Sequence, residues 1–190
     1  MKEYMILFDP DKCTQCHGCE TACKQWRELP HGVRFRRVYN LWSGTYPEVK
    51  SASLSLACLH CVAPACAAVC PVDAISKSET DGRVLVDEDL CIGCRACAKA
   101  CPFGVPQFDA DRTMRKCDLC LDQPGAGVAP PCVQTCSGHA LTLAEVTEEE
   151  KRAREAAVSE TLERGGVKFP TPGKARKRGA APGKAGAAGR

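Results

Sequence analysis

Sixteen cysteines in four groups of four constrain this chain more than any other feature. The first group is Cys13-x2-Cys16-x2-Cys19-x3-Cys23, and the second is Cys58-x2-Cys61-x4-Cys66-x3-Cys70 followed by Pro71. The third is Cys91-x2-Cys94-x2-Cys97-x3-Cys101 followed by Pro102, and the fourth is Cys117-x2-Cys120-x11-Cys132-x3-Cys136. One template is repeated, and a repeat has to be read before any secondary structure. Disulfides need two Cβ atoms about 3.5–4.5 Å apart and favour no repeated spacing. Zinc sites use C-x2-C pairs separated by a longer gap, and group four alone could serve as one. Groups one and three do not suit zinc, because they place three thiolates within seven residues. Such a triplet curls around a cubane, offers one thiolate to each of three irons, and lets loop N–H groups point at the sulfurs. The fourth cysteine follows an i to i+4 step later, about 6 Å along a helix axis. That step carries it toward a second cluster, as in bacterial two-cluster ferredoxins. Four such groups make two pairs and four [4Fe–4S] clusters, with zinc at a single group as the remaining alternative.

Composition supports a metal-held fold. Leu, Ile, Val and Phe supply 35 of 190 residues, too few for a normal core and low enough on their own to suggest disorder. The net charge is only +3, so self-repulsion does not keep the chain open. An ordinary hydrophobic enzyme core is excluded. No nucleophile–base pair, P-loop or dinucleotide fingerprint occurs, so no catalytic residue is assigned and no nucleic-acid partner is expected. The longest apolar run, 54–70, is broken by Cys, His and Pro and falls short of spanning length. Residues 1–10 lack the basic n-region of a signal peptide.

Residues 4–8 read as a strand entering group one, and 140–146 as a strand leaving group four. Residues 74–90 read as a hairpin turning at Asp81-Gly82. Residues 33–57 form an insert of paired strands, with Ser43-Gly44 and Tyr46-Pro47 as turn signals. Thr147 and Glu150 form a capping box that opens a charged helix to about Arg164. The tail, 165–190, contains seven Lys or Arg and no acidic residue, which leaves the body, 1–164, at −4. Its Gly, Pro and Ala content predicts disorder, either as a solubilising tail or as a basic patch for acidic lipid or a partner.

Four stretches carry a family resemblance: Phe35-Arg36-Arg37-Val38-Tyr39, residues 54–61 (LSLACLHC), residues 84–95 (VLVDEDLCIGCR) and residues 114–120 (MRKCDLC). In order and spacing the chain resembles, over residues 4–146, the iron–sulfur electron-transfer subunit of dimethyl-sulfoxide-reductase-type molybdoenzymes. The resemblance implies an α+β fold of two nested bacterial ferredoxin-like lobes, each holding two [4Fe–4S] clusters. Groups one and four would form the outer lobe (1–32 and 102–146), and groups two and three the inner lobe (58–101). The β insert (33–57), the helix (147–164) and the disordered basic tail (165–190) complete the chain. The implied ligand sets are Cys13, Cys16, Cys19 and Cys136; Cys117, Cys120, Cys132 and Cys23; Cys58, Cys61, Cys66 and Cys101; and Cys91, Cys94, Cys97 and Cys70. Some relatives replace the residue matching Cys94 and hold a three-iron cluster there; this chain keeps the cysteine. Ser137 stands where relatives usually have Pro.

The resemblance also implies an electron wire between a quinol-linked membrane anchor and a molybdopterin catalytic subunit. The Cys13 set would lie nearest the catalytic subunit and the Cys91 set nearest the anchor. A formate dehydrogenase or hydrogenase complex is the alternative setting. A structural subunit of a non-redox molybdenum transhydroxylase is another, and a free ferredoxin is disfavoured by the insert. The protein would be membrane-associated through its partners, either co-exported with one of them or cytoplasmic. Among other residues, His60, His17 and His139 flank ligands and are expected beside the clusters or at the surface, and His31 in a loop. Trp26 and Trp42 are expected to pack against the insert. Ile92, Ala96, Ala98, Val62, Ala63 and Val72 are expected to keep water from the ligand loops. Glu79, Asp81, Asp87 and Asp89 read as solvated hairpin charges.

Overall fold

The computed structural model describes residues 3–109, 112–122, 128–167 and 169. Its sheets are all two-stranded and antiparallel. Strand β1 (Glu3–Phe8) pairs with β8 (Leu141–Val146), Glu3 opposite Val146 and Phe8 opposite Leu141. The two expected flanking strands are therefore neighbours, and the cysteine groups lie between them in the chain. Strands β2 (Arg37–Ser43) and β3 (Lys50–Leu56) form the insert hairpin. Strands β4 (Ile75–Lys77) and β5 (Val84–Val86) form the hairpin expected at 74–90. A fourth ribbon, β6 (Gln107–Phe108) with β7 (Met114–Arg115), carries no strand-length apolar alternation and was not legible in the pattern.

Isolated two-stranded ribbons are marginal in water, so the packing that stabilises these must lie elsewhere. Helices α1 (Gly18–Trp26), α2 (Ala65–Ala68), α3 (Ala96–Ala100) and α4 (Pro131–Gln134) follow the ligand loops, and α1 packs on α4 while α2 packs on α3. The apolar interior is divided into four small cores, each with cysteines among its members. This is the form that the thin aliphatic composition takes.

Helix α5 (Glu148–Arg164) opens with the anticipated capping box: Thr147 Oγ1 accepts the Glu150 N–H at 3.2 Å, and the Glu150 carboxylate accepts the Thr147 N–H at 2.7 Å. It docks by burying Leu162 and by sending Lys151, wholly buried, to the Glu3 carboxylate. Glu3 also pairs with Lys77 at 2.7 Å, and Lys151 reaches the Gly82 carbonyl at 3.4 Å. Gly82 has φ +68, and a Cβ there would run into the Glu3 carboxylate, so the turn requires glycine. Among the described residues no helix is long and apolar enough to cross a membrane. The tail expectation falls largely outside the described residues.

Three expectations are corrected. Trp26 and Trp42 are 51% and 67% exposed, because one ends α1 at the rim and the other lies where the insert hairpin runs past the core. Ala63 is exposed and keeps no water from its loop, whereas Ile92, though 62% exposed, lines the cavity of Cys70, Cys91, Cys94 and Cys97 as expected. Asp81 is not a solvated charge: it accepts the Arg83 N–H and Nε–H at 3.0 and 2.8 Å inside the turn.

Candidate metal centres

The four loops share one backbone device. In every group the residue two places after the first cysteine is left-handed: Gln15, His60, Gly93 and Leu119, with φ of 58, 50, 66 and 66°. In groups one and three the residue after the second cysteine, His17 or Arg95, is left-handed too and caps the helix that follows. The third cysteine is then the second residue of its helix in all four groups: Cys19, Cys66, Cys97 and Cys132. Such turns aim successive N–H groups inward, the arrangement that holds anionic sulfur. Backbone N–H groups of His60, Leu119 and Met114 lie 3.4 Å from the sulfurs of Cys58, Cys117 and Cys91, and Ala140 N–H lies 3.2 Å from Cys136 Sγ.

All sixteen cysteines are free thiols. They gather across groups. One cavity is lined by Cys23, Cys117, Cys120 and Cys132, with Ile6, Trp26 and Pro131 around them. A second is lined by Cys70, Cys91, Cys94 and Cys97, with Val72, Ile75 and Phe108. Cys58, Cys61 and Cys101 pack on one apolar core, and burial and the nearby Cys58, Cys101 and Cys66 sulfurs push the Cys61 thiol up to about 12. Cys19, Cys132, Cys23 and Cys136 pack together on another core, and Ser137 Oγ lies 3.9 Å from Cys16 Sγ. Among the described residues no three Cys, His, Asp or Glu converge as a single-ion site requires. The thiols instead ring cavities, which suits a polynuclear cluster.

The protonation pattern fits the same group. Burial, with neighbouring sulfurs adding to it, pushes the Cys23 and Cys97 thiols up to about 12 and Cys117 further. Without a cation these sites hold neutral thiols; a metal ion is what makes the thiolate favourable, so loading releases protons. Cys16 moves the other way, held low first by the Gly18 N–H and then by the Thr14 and Ser137 hydroxyls.

Sulfurs of different cysteine groups also lie near one another. Cys19 and Cys132 interact, as do Cys117 and Cys58, and Cys66 and Cys97. Cys23 belongs to the cores of both Cys19 and Cys117, and Cys58 to those of both Cys117 and Cys101. Only two of the sixteen are exposed, Cys16 and Cys94.

Sequence reading missed the charged lining. Arg36 is 3% exposed and lines the Cys23 cavity. Arg27 reaches Cys120 Sγ at 3.1 Å while bound by the Asp118 carboxylate at 2.5 and 2.6 Å. Lys116 is buried, with its ammonium on the Val84 and Cys117 carbonyls. Glu155 of α5 accepts the Val62 N–H at 2.9 Å beside Cys61. His60 is wholly buried: Nδ1 accepts the Val84 N–H at 2.9 Å, leaving the proton on Nε2. Burial and then the charges of Lys116, Lys151 and Arg83 hold its pKa well below the ordinary range, so it is neutral. His17 is half-exposed beside Glu20, and His139 and His31 are exposed.

Residues 49–146 match the 4Fe-4S dicluster domain family. The protein is 41% identical to a component of the anaerobic dimethyl sulfoxide reductase of Escherichia coli over 171 residues, covering 85% of this sequence and 83% of that one. It is 40% identical to the formate dehydrogenase iron-sulfur subunit of Wolinella succinogenes, over 70% of this sequence and 76% of that one. It is 35% identical to a component of the sulfite dehydrogenase of Allochromatium vinosum, over 77% and 70%.

Proposed function

This chain belongs to the iron–sulfur electron-transfer subunits of dimethyl-sulfoxide-reductase-type oxidoreductases, and we propose that it carries single electrons through four [4Fe–4S] clusters between a quinol-linked membrane anchor and a molybdopterin catalytic subunit. A bound cluster supplies a site that accepts and gives up one electron; the rest of the work belongs to the residues around it. In this reading the ligand sets are Cys13, Cys16, Cys19 and Cys136; Cys117, Cys120, Cys132 and Cys23; Cys58, Cys61, Cys66 and Cys101; and Cys91, Cys94, Cys97 and Cys70. The outer lobe is then 1–32 with 102–146, and the inner lobe 58–101 is nested within it. The β1–β8 pairing and the α1–α4 and α2–α3 contacts support this arrangement.

One observation carries the wire. Cys19 lies near Cys132, Cys117 near Cys58 and Cys66 near Cys97, which in this reading joins each ligand set to the next, and the two exposed cysteines, Cys16 and Cys94, fall one in each end set. Ends that each present one exposed thiol, with none exposed between them, are what a relay between two partners needs. The end with Cys16 would face the catalytic subunit and the end with Cys94 the anchor, which makes the protein membrane-associated through its partners. The similar identity to a formate dehydrogenase subunit supports a second reading of the catalytic partner only, not of the relay.

The test is iron and sulfide analysis with EPR-monitored potentiometry on the complex purified with its partners. Four four-iron clusters, each reducible by one electron and oxidised by added quinone or by the catalytic subunit's substrate, is the expected result. Zinc in any quartet, or clusters that stay oxidised across that range, would overturn the proposal, the latter in favour of a structural role.

A further inference from the structure

We infer that Arg36 is a positioning residue shared by two adjacent quartets, a buried cation that raises the reduction potentials of the Cys13 and Cys117 clusters above the value their thiolates alone would set. This rests on the four-cluster reading.

Arg36 has three features that no other basic side chain among the described residues combines. It is 3% exposed, it lines the cavity with Cys23, Cys117, Cys120 and Cys132, and it forms no ion pair with a carboxylate among the described residues. Arg27 also touches a sulfur, yet its charge is balanced by Asp118, and Lys151 is balanced by Glu3. A buried guanidinium without a counter-charge is strongly unfavourable. The anionic partners at hand are the sulfurs.

Its hydrogen bonds reach the Cys13 set through Ser55, while its place in the cavity wall sets it beside the Cys117 set. Nη1 donates to Ser55 Oγ at 3.0 Å and to the Ser55 carbonyl at 3.4 Å. With its oxygen accepting from Arg36, Ser55 has its O–H left for Cys19 Sγ, 3.5 Å away, a ligand of the Cys13 set. The Arg36 Nε–H is buried and meets no partner. Burial opposes the charge, but the sulfurs of Cys132, Cys117, Cys19 and Cys23, from both quartets, more than offset it. One-electron reduction adds a negative charge to a cluster, and a fixed cation in a dry setting favours that form. The two inner-lobe quartets have no such contact with Arg36, so the effect is confined to the outer pair.

The experiment is EPR-resolved potentiometry of the assembled complex carrying Arg36→Gln or Arg36→Lys. Arg36→Gln lowers the potentials of the Cys13 and Cys117 clusters by roughly tenfold or more in the reduction equilibrium, about 59 mV for one electron. The other two hold, and Arg36→Lys restores most of the shift. Unchanged outer potentials, or an equal shift in all four, would overturn the inference. Should Arg36→Gln fail to assemble, hyperfine spectroscopy of the reduced complex labelled with 15N-arginine, in an Arg27→Lys background, decides: a coupled nitrogen supports the inference and its absence refutes it. Failure of the four-cluster reading is distinguishable, because the unsubstituted complex would then show fewer than four clusters.

Discussion

Replacing Glu3 with Gln should release helix α5 while leaving the cysteine cages in place. Glu3 is 5% exposed and lies between Lys151, wholly buried, and Lys77, at 2.7 Å. Lys77 is partly exposed and can turn to solvent, but Lys151 stays buried with only neutral acceptors, the Gln amide oxygen and the Gly82 carbonyl at 3.4 Å, and no counter-charge. Stranding one partner of a buried pair costs about 3–5 kcal/mol, and 3 kcal/mol is about two orders of magnitude in an equilibrium constant. Because Lys151 sits in the first turns of α5, the cost falls on the docking of that helix. Amide hydrogen exchange on the loaded protein should therefore show α5 losing about a hundredfold in protection while the loops of the cages hold theirs. The double substitution Glu3→Leu with Lys151→Met removes both charges and should recover most of the loss. The pH dependence has a definite sign. Burial pushes the Glu3 carboxyl up, but its bonds to Lys151 and Lys77 outweigh that and hold it below its ordinary value of 4.5. The lock is therefore fully present above that value and is lost as pH falls through the lowered folded value. Unchanged α5 exchange in Glu3→Gln, or a double variant as loose as the single one, would refute the reasoning.

Cys94→Ser should convert the end cluster of the inner lobe to a three-iron form, seen as a new EPR signal in the oxidised state with loss of about one iron; an unchanged spectrum would count against Cys94 as a ligand. Glu155→Gln removes a negative charge beside Cys61 while keeping an acceptor for the Val62 N–H, so potentiometry should find the Cys58 cluster moved upward, opposite in sign to Arg36→Gln. Cluster-free protein should lack a cooperative thermal transition, since the apolar interior is split into four small cores that share cysteines; a sharp calorimetric peak would contradict this.

Local signals carried well. The strand before group one, the hairpin around Asp81-Gly82 and the Thr147–Glu150 capping box all depend on neighbours in sequence, and each lies where the residues indicated. The cysteine template did the same for the loops, whose left-handed residues recur at one fixed offset. What escaped was set by contacts distant in sequence. Arg36 stands in the stretch 35–39 that carries the family resemblance, but no local pattern marks it as interior; Ser55 and cysteines of the fourth group pack around it. Ser53-Leu54-Ser55-Leu56 alternates polar and apolar, which would put Ser55 on the solvent face, yet residues 53–56 of β3 are all buried. The tryptophans failed for the opposite reason: their size suggests a core position, but Trp42 is 67% exposed and Trp26, 51% exposed, borders the Cys23 cavity instead of packing on the insert.

Sulfur-to-iron connectivity in the loaded protein, from a crystallographic or cryo-electron-microscopy structure, tests the central claim most directly. The account predicts Cys23 on the cluster of Cys117, Cys120 and Cys132, whose cavity it lines, and Cys136 on that of Cys13, Cys16 and Cys19. Finding Cys23 on the same cubane as Cys13, Cys16 and Cys19, or group one paired with group two, would contradict the nested lobes and the order of the electron path with them.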